Sequence, residues 1–158
     1  MIKHPIKPFY NENSRILILG SFPSVKSREQ MFYYGHPQNR FWSVISAIYG
    51  KNVPCSIEEK KELLISCGIA LSDVVDSCDI KGSADSSIKN VVPTDLTKIL
   101  LGSKIGKIFV NGKTAEKLYK KYILPKTEIE AVFLPSTSPA NAVWSLEKLI
   151  QEWEIIKK

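Results

Sequence analysis

The sequence has no long apolar segment and few of the residues that build metal or disulfide sites. No stretch approaches the roughly 20 apolar residues that cross a bilayer, and no secretory signal follows the N-terminus. We therefore expect a cytoplasmic protein without a membrane partner. The cysteines form no CxxC pair, which argues against a disulfide framework, a zinc ribbon and a four-cysteine iron–sulfur cluster. They are Cys55, Cys67 and Cys78.

Several motifs of cofactor-dependent enzymes and hydrolases are also missing. The sequence contains no phosphate-binding G-x-x-x-x-G-K-[ST] loop, no dinucleotide-binding G-x-G-x-x-G pattern and no G-x-S-x-G of serine hydrolases. Its two histidines are too few for a histidine-rich metal site. Asp73 and Asp76 are candidates for a magnesium ion, but the other predicted strand ends bring no third carboxylate. We therefore expect no metal and no cofactor, and a metal-dependent nuclease is not favoured.

The composition that is present is typical of one globular domain with a basic surface. Of the 158 residues, 44% are hydrophobic and 24% are charged. A chain of this length can bury a core without disulfides, and we expect a single domain over residues 1–158. The formal net charge of +6 suits a polyanionic partner such as nucleic acid.

Four short apolar runs predict buried β-strands. Because their apolar residues are nearly continuous rather than alternating, both faces of each strand should be covered. Between them, a helical stripe begins at Phe41 and stops at Gly50, and a capping box at Ser56 opens a helix that stops at Gly68. We also expect Thr94 to cap a short helix. The predicted strands span residues 15–19, 69–75, 107–110 and 129–134.

Alternation of strands and helices predicts an α/β fold with a parallel sheet and helices on both faces. Ligands of such folds bind beyond the carboxyl ends of the strands. The segments that follow these ends are small and polar, with proline or glycine in most of them. A site assembled there would offer amides and hydroxyls and few strong acids or bases. The segments span residues 20–24, 76–87, 111–113 and 135–141.

Residues 32–42, FYYGHPQNRFW, form the most unusual stretch of the chain. Two tyrosines, a histidine and two side-chain amides stand directly before a predicted helix. Aromatic and amide groups on loops suit a pocket that stacks a base and hydrogen-bonds its edge. The alternative is structural, with Phe41 and Trp42 in the helix core and Tyr33 and Tyr34 covering the edge of the sheet.

The blocks GSFPS at 20–24, YYGHPQNRFW at 33–42 and LPSTSPA at 134–140 occur in this order, with FVNG at 109–112 between them. Together they resemble the hypoxanthine-DNA glycosylase (DNA-deoxyinosine glycosylase) branch of the uracil-DNA glycosylase superfamily. The resemblance covers nearly the whole chain. It implies a three-layer α/β/α sandwich with a four-stranded parallel sheet in the order 2-1-3-4. Leu134 stands where the main uracil branch has a histidine before Pro-Ser, which argues against efficient uracil excision.

The same resemblance implies a monofunctional DNA glycosylase of base excision repair. Such an enzyme flips deoxyinosine out of the duplex and hydrolyses its N-glycosidic bond to release hypoxanthine. Its partner is DNA that contains deaminated bases, its only co-substrate is water, and we expect a monomer. Three alternatives stay open: a glycosylase of broader range that acts on uracil or xanthine in DNA, a non-catalytic nucleic-acid-binding module, and a hydrolase of free nucleosides.

The resemblance assigns Asn39 the catalytic role of positioning the attacking water. Glycosidic cleavage passes through an oxocarbenium-like sugar, so a well-oriented water suffices as the nucleophile. The alternative from local sequence is that Asn39 caps a helix beginning at Arg40. The two roles can coexist.

The other candidates would bind the base or the DNA backbone. Asn111 carries an amide that can match N1–H and O6 of hypoxanthine, or it is a turn residue before Gly112. Phe22 either stacks on the flipped base or is a core aromatic. The base-binding set is completed by Tyr34, Gly20 and Ser21. The DNA-binding candidates are Ser24, Arg40, Lys113, Ser136, Thr137, Ser138 and Pro139, of which the last four form either a loop on the minor groove and phosphates or a helix entry.

Overall fold

The computed structural model describes residues 1–158, and its centre is a four-stranded parallel sheet. The sheet contains β2 (Ile16–Gly20), β3 (Ile69–Asp73), β6 (Lys107–Asn111) and β7 (Ala131–Leu134). The strands lie in the order β3-β2-β6-β7, and every neighbouring pair is parallel. Counted along the four predicted strands this order is 2-1-3-4, so the predicted fold class is confirmed.

A second sheet of three strands was not predicted. It pairs β4 (Val75–Asp79) antiparallel with β1 (Ile2–Lys3) on one side and β5 (Lys89–Pro93) on the other. The predicted strand over residues 69–75 is therefore wrong in its extent. The chain leaves the parallel sheet after Asp73 and enters the antiparallel one at Val75.

Seven helices and two short 3₁₀ segments surround the sheets. The 3₁₀ segments are Asp85–Ser87 and Glu154–Lys157. The helices are α1 (Val25–Gln30), α2 (Phe41–Tyr49), α3 (Ile57–Cys67), α4 (Thr97–Leu101), α5 (Lys113–Tyr122), α6 (Leu124–Thr127) and α7 (Leu146–Trp153).

Two helices, α2 and α3, end at the predicted residues, whereas the start of α4 differs from its prediction. α2 and α3 end at Gly50 and Gly68, and Ser56 caps α3 by accepting a hydrogen bond from the backbone N–H of Glu59. Thr94 does not cap α4. The N-cap is Leu96, which makes no side-chain bond, and Oδ1 of the preceding Asp95 accepts a bond of 3.0 Å from the backbone N–H of Thr97, the first residue of that helix.

The parallel sheet is covered on both faces, which explains the continuous apolar runs of its strands. Ile16 and Ile18 point into a core formed with α2, α3 and α7. Leu17 and Leu19 point into a second core that includes residues of α4 and α5. Alternate residues of one strand thus serve opposite layers. None of the helices is long and apolar enough to cross a membrane.

Candidate active site

The carboxyl edge of the parallel sheet brings the predicted site segments together. Gly20 lies beside Asp73 in the register of β2 and β3, and Asn111 lies beside Leu134 in the register of β6 and β7. Each of these residues ends its strand, so the loops that follow share one edge. The aromatic block 32–42 joins them, since the backbone N–H of Arg40 donates to the carbonyl of Thr137 at 3.1 Å.

Asn39 is held in a fixed position just before α2. Its Oδ1 accepts a hydrogen bond of 2.9 Å from the backbone N–H of Phe41, and its own backbone N–H donates to the carbonyl of His36. The helix begins at Phe41 rather than at the predicted Arg40. The Asn39 side chain is half-buried, and its Nδ2 donates to no protein acceptor. Its amide N–H groups and one lone pair of Oδ1 are therefore available to a water molecule.

Arg40 connects the aromatic block to the loop after β7. Its guanidinium donates to the backbone carbonyls of Ser138 at 3.1 Å, Asn141 at 3.0 Å and Trp144. Three of its five N–H groups are thus used inside the protein. The sequence predicted a phosphate contact, and the contacts give Arg40 a second task, which is to hold the loop beside Asn39.

Asn111 is fixed by the same loop. Its Oδ1 accepts from the backbone N–H of Thr137, and its Nδ2 donates to the Thr137 hydroxyl, both at 3.1 Å. One amide N–H and one lone pair remain for a base. Gly112 allows this close approach, since a Cβ at that position would lie 3.1 Å from Cβ of Ser136 and the backbone has a φ of +96°. Thr137, predicted as a DNA contact, is completely buried, and its backbone N–H and hydroxyl anchor the loop to β6.

The other predicted DNA contacts differ in what they leave exposed. Ser24 caps α1 by accepting from the backbone N–H of Ser27. Ser136 and Ser138 each accept from a backbone N–H two residues later, at 3.1 and 3.2 Å, and Pro139 is half-buried. Lys113 is exposed at the first position of α5, so it is the one free cation of the predicted set.

The predicted base-binding residues Phe22 and Ser21 are packed at the end of β2. Phe22 is only 7% exposed, with the ring of His4 edge-on at 5.6 Å and the guanidinium carbon of Arg28 at 5.6 Å from its centroid. The hydroxyl of Ser21 donates to Oδ1 of Asp85 at 2.9 Å. Phe22 is thus mostly core, as the structural alternative predicted, and Ser21 keeps only its lone pairs for a ligand.

Tyr34 is the most unusual side chain at this edge. Its backbone adopts a left-handed conformation with φ of +54°, and its ring stacks on Phe41 with centroids 4.0 Å apart. Its hydroxyl is buried and has no hydrogen-bond partner. Burial raises the pKa of Tyr34 well above its ordinary value, and the Asp73 carboxylate raises it further. The hydroxyl therefore stays protonated and keeps a free donor.

Gly20 brings two unpaired polar atoms together. A Cβ at Gly20 would lie 2.5 Å from Oδ1 of Asp73 and 3.3 Å from the Tyr34 hydroxyl. Asp73 is 4% exposed, and its Oδ1 accepts no hydrogen bond from the protein. An acceptor and a donor thus converge on the α-carbon of Gly20, where only glycine leaves room.

Comparison with known proteins decides the family. A model described as the uracil DNA glycosylase superfamily matches residues 7–157. The chain belongs to the uracil DNA glycosylase superfamily.

Two curated members of the superfamily are similar over most of their length. A protein of Methanosarcina acetivorans named hypoxanthine DNA glycosylase is 34% identical over 158 residues, which cover 99% of this chain and 98% of that protein. One of Methanosarcina barkeri with the same name is 31% identical over 143 residues, 89% of either chain. A solution NMR structure from Methanosarcina acetivorans, provisionally named a uracil DNA glycosylase, matches with a TM-score of 0.84, 34% identity, and coverage of 99% of this chain and 97% of that one.

Sequence reasoning missed one buried pair in this superfamily member. Nε2 of His4 lies 2.6 Å from Oδ2 of Asp73, and both side chains are nearly inaccessible to solvent. The pair joins residues 69 positions apart, so no local pattern could predict it. The sequence indicates Asp73 only as a candidate magnesium ligand, and no group of three or more His, Cys, Asp or Glu residues in the chain could hold a metal ion. A carboxylate at the end of a short buried strand was the available signal.

Proposed function

We propose that this protein is a monofunctional DNA glycosylase that hydrolyses the N-glycosidic bond of deoxyinosine and releases hypoxanthine. The observation that carries the proposal is the similarity over 99% of the chain to a relative named hypoxanthine DNA glycosylase. The site supports it with an oriented amide at Asn39 and a polar corner at the carboxyl edge of the sheet.

In the proposed reaction Asn39 holds the attacking water. Its Oδ1 is fixed by the backbone N–H of Phe41, so the amide presents its free groups in one direction. As the C1′–N9 bond breaks, its electron pair leaves with the base and the sugar becomes oxocarbenium-like. Water then adds to C1′, and its proton balances the charge on the released base. Since the cation accepts a weak nucleophile, orientation is the main contribution of Asn39.

Hypoxanthine presents an N1–H donor beside an O6 acceptor. Over Gly20, Oδ1 of Asp73 can accept from N1–H. The Tyr34 hydroxyl is buried in the free protein, so its donation to O6 requires the bound base to displace the groups that cover it. Adenine has a lone pair at N1 and an amino group at C6, so it would face the carboxylate with a lone pair. A site that hydrogen-bonds its ligand rejects such a mismatch strongly because buried groups stay unpaired. The remaining amide N–H of Asn111 is a third polar group for the base.

The proposed partner is DNA, and the proposed place of action is inside the cell, where DNA is repaired. The net charge of +6 and the exposed Lys113 beside the site support a polyanionic substrate. We propose that the protein acts as a monomer, since each group named in the reaction comes from one chain.

An excision panel tests the function. Matched duplexes containing hypoxanthine, uracil, xanthine or adenine at one position are incubated with excess enzyme, and abasic sites are cleaved with alkali. We expect rapid release of hypoxanthine, none of adenine, and release about a hundredfold slower by the Asn39→Ser variant, which lacks the amide that would orient the water. Binding to hypoxanthine duplex without release would instead favour a non-catalytic module, and release from free inosine alone would favour a nucleoside hydrolase.

A second candidate is a glycosylase of broader range. Uracil and xanthine also present an N–H donor next to a carbonyl, so the donor and acceptor over Gly20 fit them in the same way. The name of the solved relative points in this direction as well. Comparable single-turnover rates on hypoxanthine and uracil would favour it.

A further inference from the structure

The first residues of the chain reach the candidate active site through the antiparallel sheet. Ile2 and Lys3 pair with Cys78 and Ser77 of β4, and the backbone N–H of His4 donates to the carbonyl of Asp76 at 2.7 Å. Because β4 follows β3 after a single residue, this pairing places His4 next to the end of β3.

The hydrogen bonds of His4 determine which of its nitrogens carries the proton. Nδ1 accepts from the backbone N–H of Ile6 at 3.1 Å. A ring nitrogen that accepts such a bond has no hydrogen of its own, so the proton is on Nε2. Nε2 lies 2.6 Å from Oδ2 of Asp73 and donates to it. The pair is therefore a neutral imidazole and a carboxylate.

The rings around the pair leave it little freedom to move. Phe22 meets the imidazole of His4 edge to face at 5.6 Å, and Tyr33 lies at 6.0 Å. His4 and Asp73 have side-chain exposures of 6% and 5%. With Oδ2 held by His4, the second oxygen of Asp73 must point toward the α-carbon of Gly20.

We propose that His4 is a positioning residue of the active site, which orients the free oxygen of Asp73 toward the base. This inference rests on the proposed function. Without the Nε2–H donor, Asp73 would be a buried carboxylate with no partner, and it would rotate toward another donor or toward solvent. That rotation removes the acceptor for N1–H. The N-terminal segment is therefore part of the recognition machinery and not an appendage to the fold.

Two substitutions separate the donor of His4 from its bulk. The side-chain amide of His4→Gln can place an N–H where Nε2 lies, whereas His4→Ala has no donor. We expect His4→Ala to lower the single-turnover rate on hypoxanthine duplex by at least about tenfold, and His4→Gln to recover most of that loss. The exposed side chain of Lys3 takes no part in the site, so Lys3→Ala should release hypoxanthine at the wild-type rate. Thermal denaturation selects a temperature at which all variants are folded.

Saturation of the rate with enzyme concentration separates binding from the chemical step. The role proposed for His4 predicts a lower limiting rate with nearly unchanged DNA affinity, because the phosphate contacts stay in place. Equal rates for His4→Ala, His4→Gln and wild type would overturn the proposal. Equally slow His4→Ala and His4→Gln would also overturn it, since the shape of the ring rather than its donor would then matter.

Nitrogen-15 NMR of the histidine ring provides a readout that is independent of activity. In the wild type, the His4 shifts should identify the Nε2–H tautomer. A proton on Nδ1 would overturn the proposal even if His4→Ala proved too unstable to assay. If wild-type protein released no base at all, the proposed function would fail and this role with it. Failure of the His4 proposal alone leaves wild-type excision intact.

Discussion

Replacing Tyr34 by phenylalanine should stabilise the protein and slow its reaction. The substitution removes a buried hydroxyl that has no partner and keeps the ring, whose stacking on Phe41 at 4.0 Å is unaffected. An unpaired buried donor costs about 1–3 kcal/mol. We therefore expect the free energy of unfolding to rise by about 1 kcal/mol, which for a chain of this size corresponds to a melting temperature about 2–4 °C higher.

The neighbouring Tyr33 provides a matched control. It is also buried, but its hydroxyl donates to the backbone carbonyl of Lys7 at 3.1 Å. Tyr33→Phe removes that bond, and the free energy of unfolding should fall by about 1 kcal/mol. Two chemically identical substitutions at adjacent positions should thus change stability in opposite directions.

The two substitutions should also differ in their effect on the reaction: the more stable variant, Tyr34→Phe, should be the slower one. If the Tyr34 hydroxyl donates to O6 of the base, Tyr34→Phe should lower the single-turnover rate on hypoxanthine duplex by about tenfold, which is roughly 1.4 kcal/mol of transition-state stabilisation. Tyr33→Phe should cut at the wild-type rate. The assays are chemical denaturation and excision with excess enzyme, on the same preparations.

High pH adds a check on the stability difference. The pKa values of Tyr33 and Tyr34 are raised in the folded protein, mainly by burial. The unfolded tyrosines ionise near pH 10, so this contribution to stability is complete below about pH 10 and is lost as pH rises beyond it. Both variants should lose less stability than the wild type between pH 9 and about pH 11. A Tyr34→Phe protein that is less stable than the wild type and cuts at the same rate would refute the reasoning.

Four further outcomes are expected. Asn39→Ser keeps an oxygen for the backbone N–H of Phe41, so the free energy of unfolding should change by less than about 1 kcal/mol. Its excision rate should fall by about a hundredfold with DNA binding retained, and near-normal turnover would leave Asn39 a helix cap. Asn111→Asp keeps the acceptor for Thr137 but loses the amide donor, and it should slow excision by about tenfold. Asn111→Leu loses both bonds and should also be less stable. Wild-type rates in both variants would show that Asn111 only holds the loop in place. Gly20→Ala should displace Asp73, whose Oδ1 lies 2.5 Å from the added Cβ, and unchanged activity would show that the base does not bind there. EDTA should leave excision unaffected while salt weakens DNA binding, and activity that EDTA abolishes and magnesium restores would favour a nuclease-like site.

Local signals predicted the parallel sheet and the helices best. The apolar runs 15–19 and 107–110 need only to be buried on both faces, and the capping residues Ser56, Gly50 and Gly68 act within one turn of the chain. The prediction over residues 69–75 was wrong because Val74 and Val75 continue the apolar pattern after the strand has left the sheet. The apolar composition of a segment does not indicate with which strand that segment pairs.

Long-range pairings decided what the sequence could not. Which amides face a substrate depends on loops that meet in space: Asn39 keeps a free Nδ2, whereas Asn111 has half of its amide bound to Thr137, 26 positions later. From the sequence, each asparagine had both a functional and a local structural interpretation: Asn39 precedes a helix, and Asn111 precedes Gly112. The His4–Asp73 pair needs β1 to add to β4, and a two-residue strand has no sequence pattern of its own.

Asp73 carries a negative charge near the site where a polyanion would bind. Its distance from the approaching phosphates explains why this charge does not oppose binding. Asp73 is 4% exposed and hydrogen-bonded to His4, whereas the net charge of +6 is carried largely by exposed side chains such as Lys113. At 0.1 M ionic strength charges separated by more than about 10 Å are screened, so approaching phosphates respond mainly to the exposed cations. In the proposed recognition only a base that has left the duplex comes close to Asp73. There its charge would favour the N1–H donor of hypoxanthine over the N1 lone pair of adenine, so the group that long-range screening hides from the phosphates can still select the base.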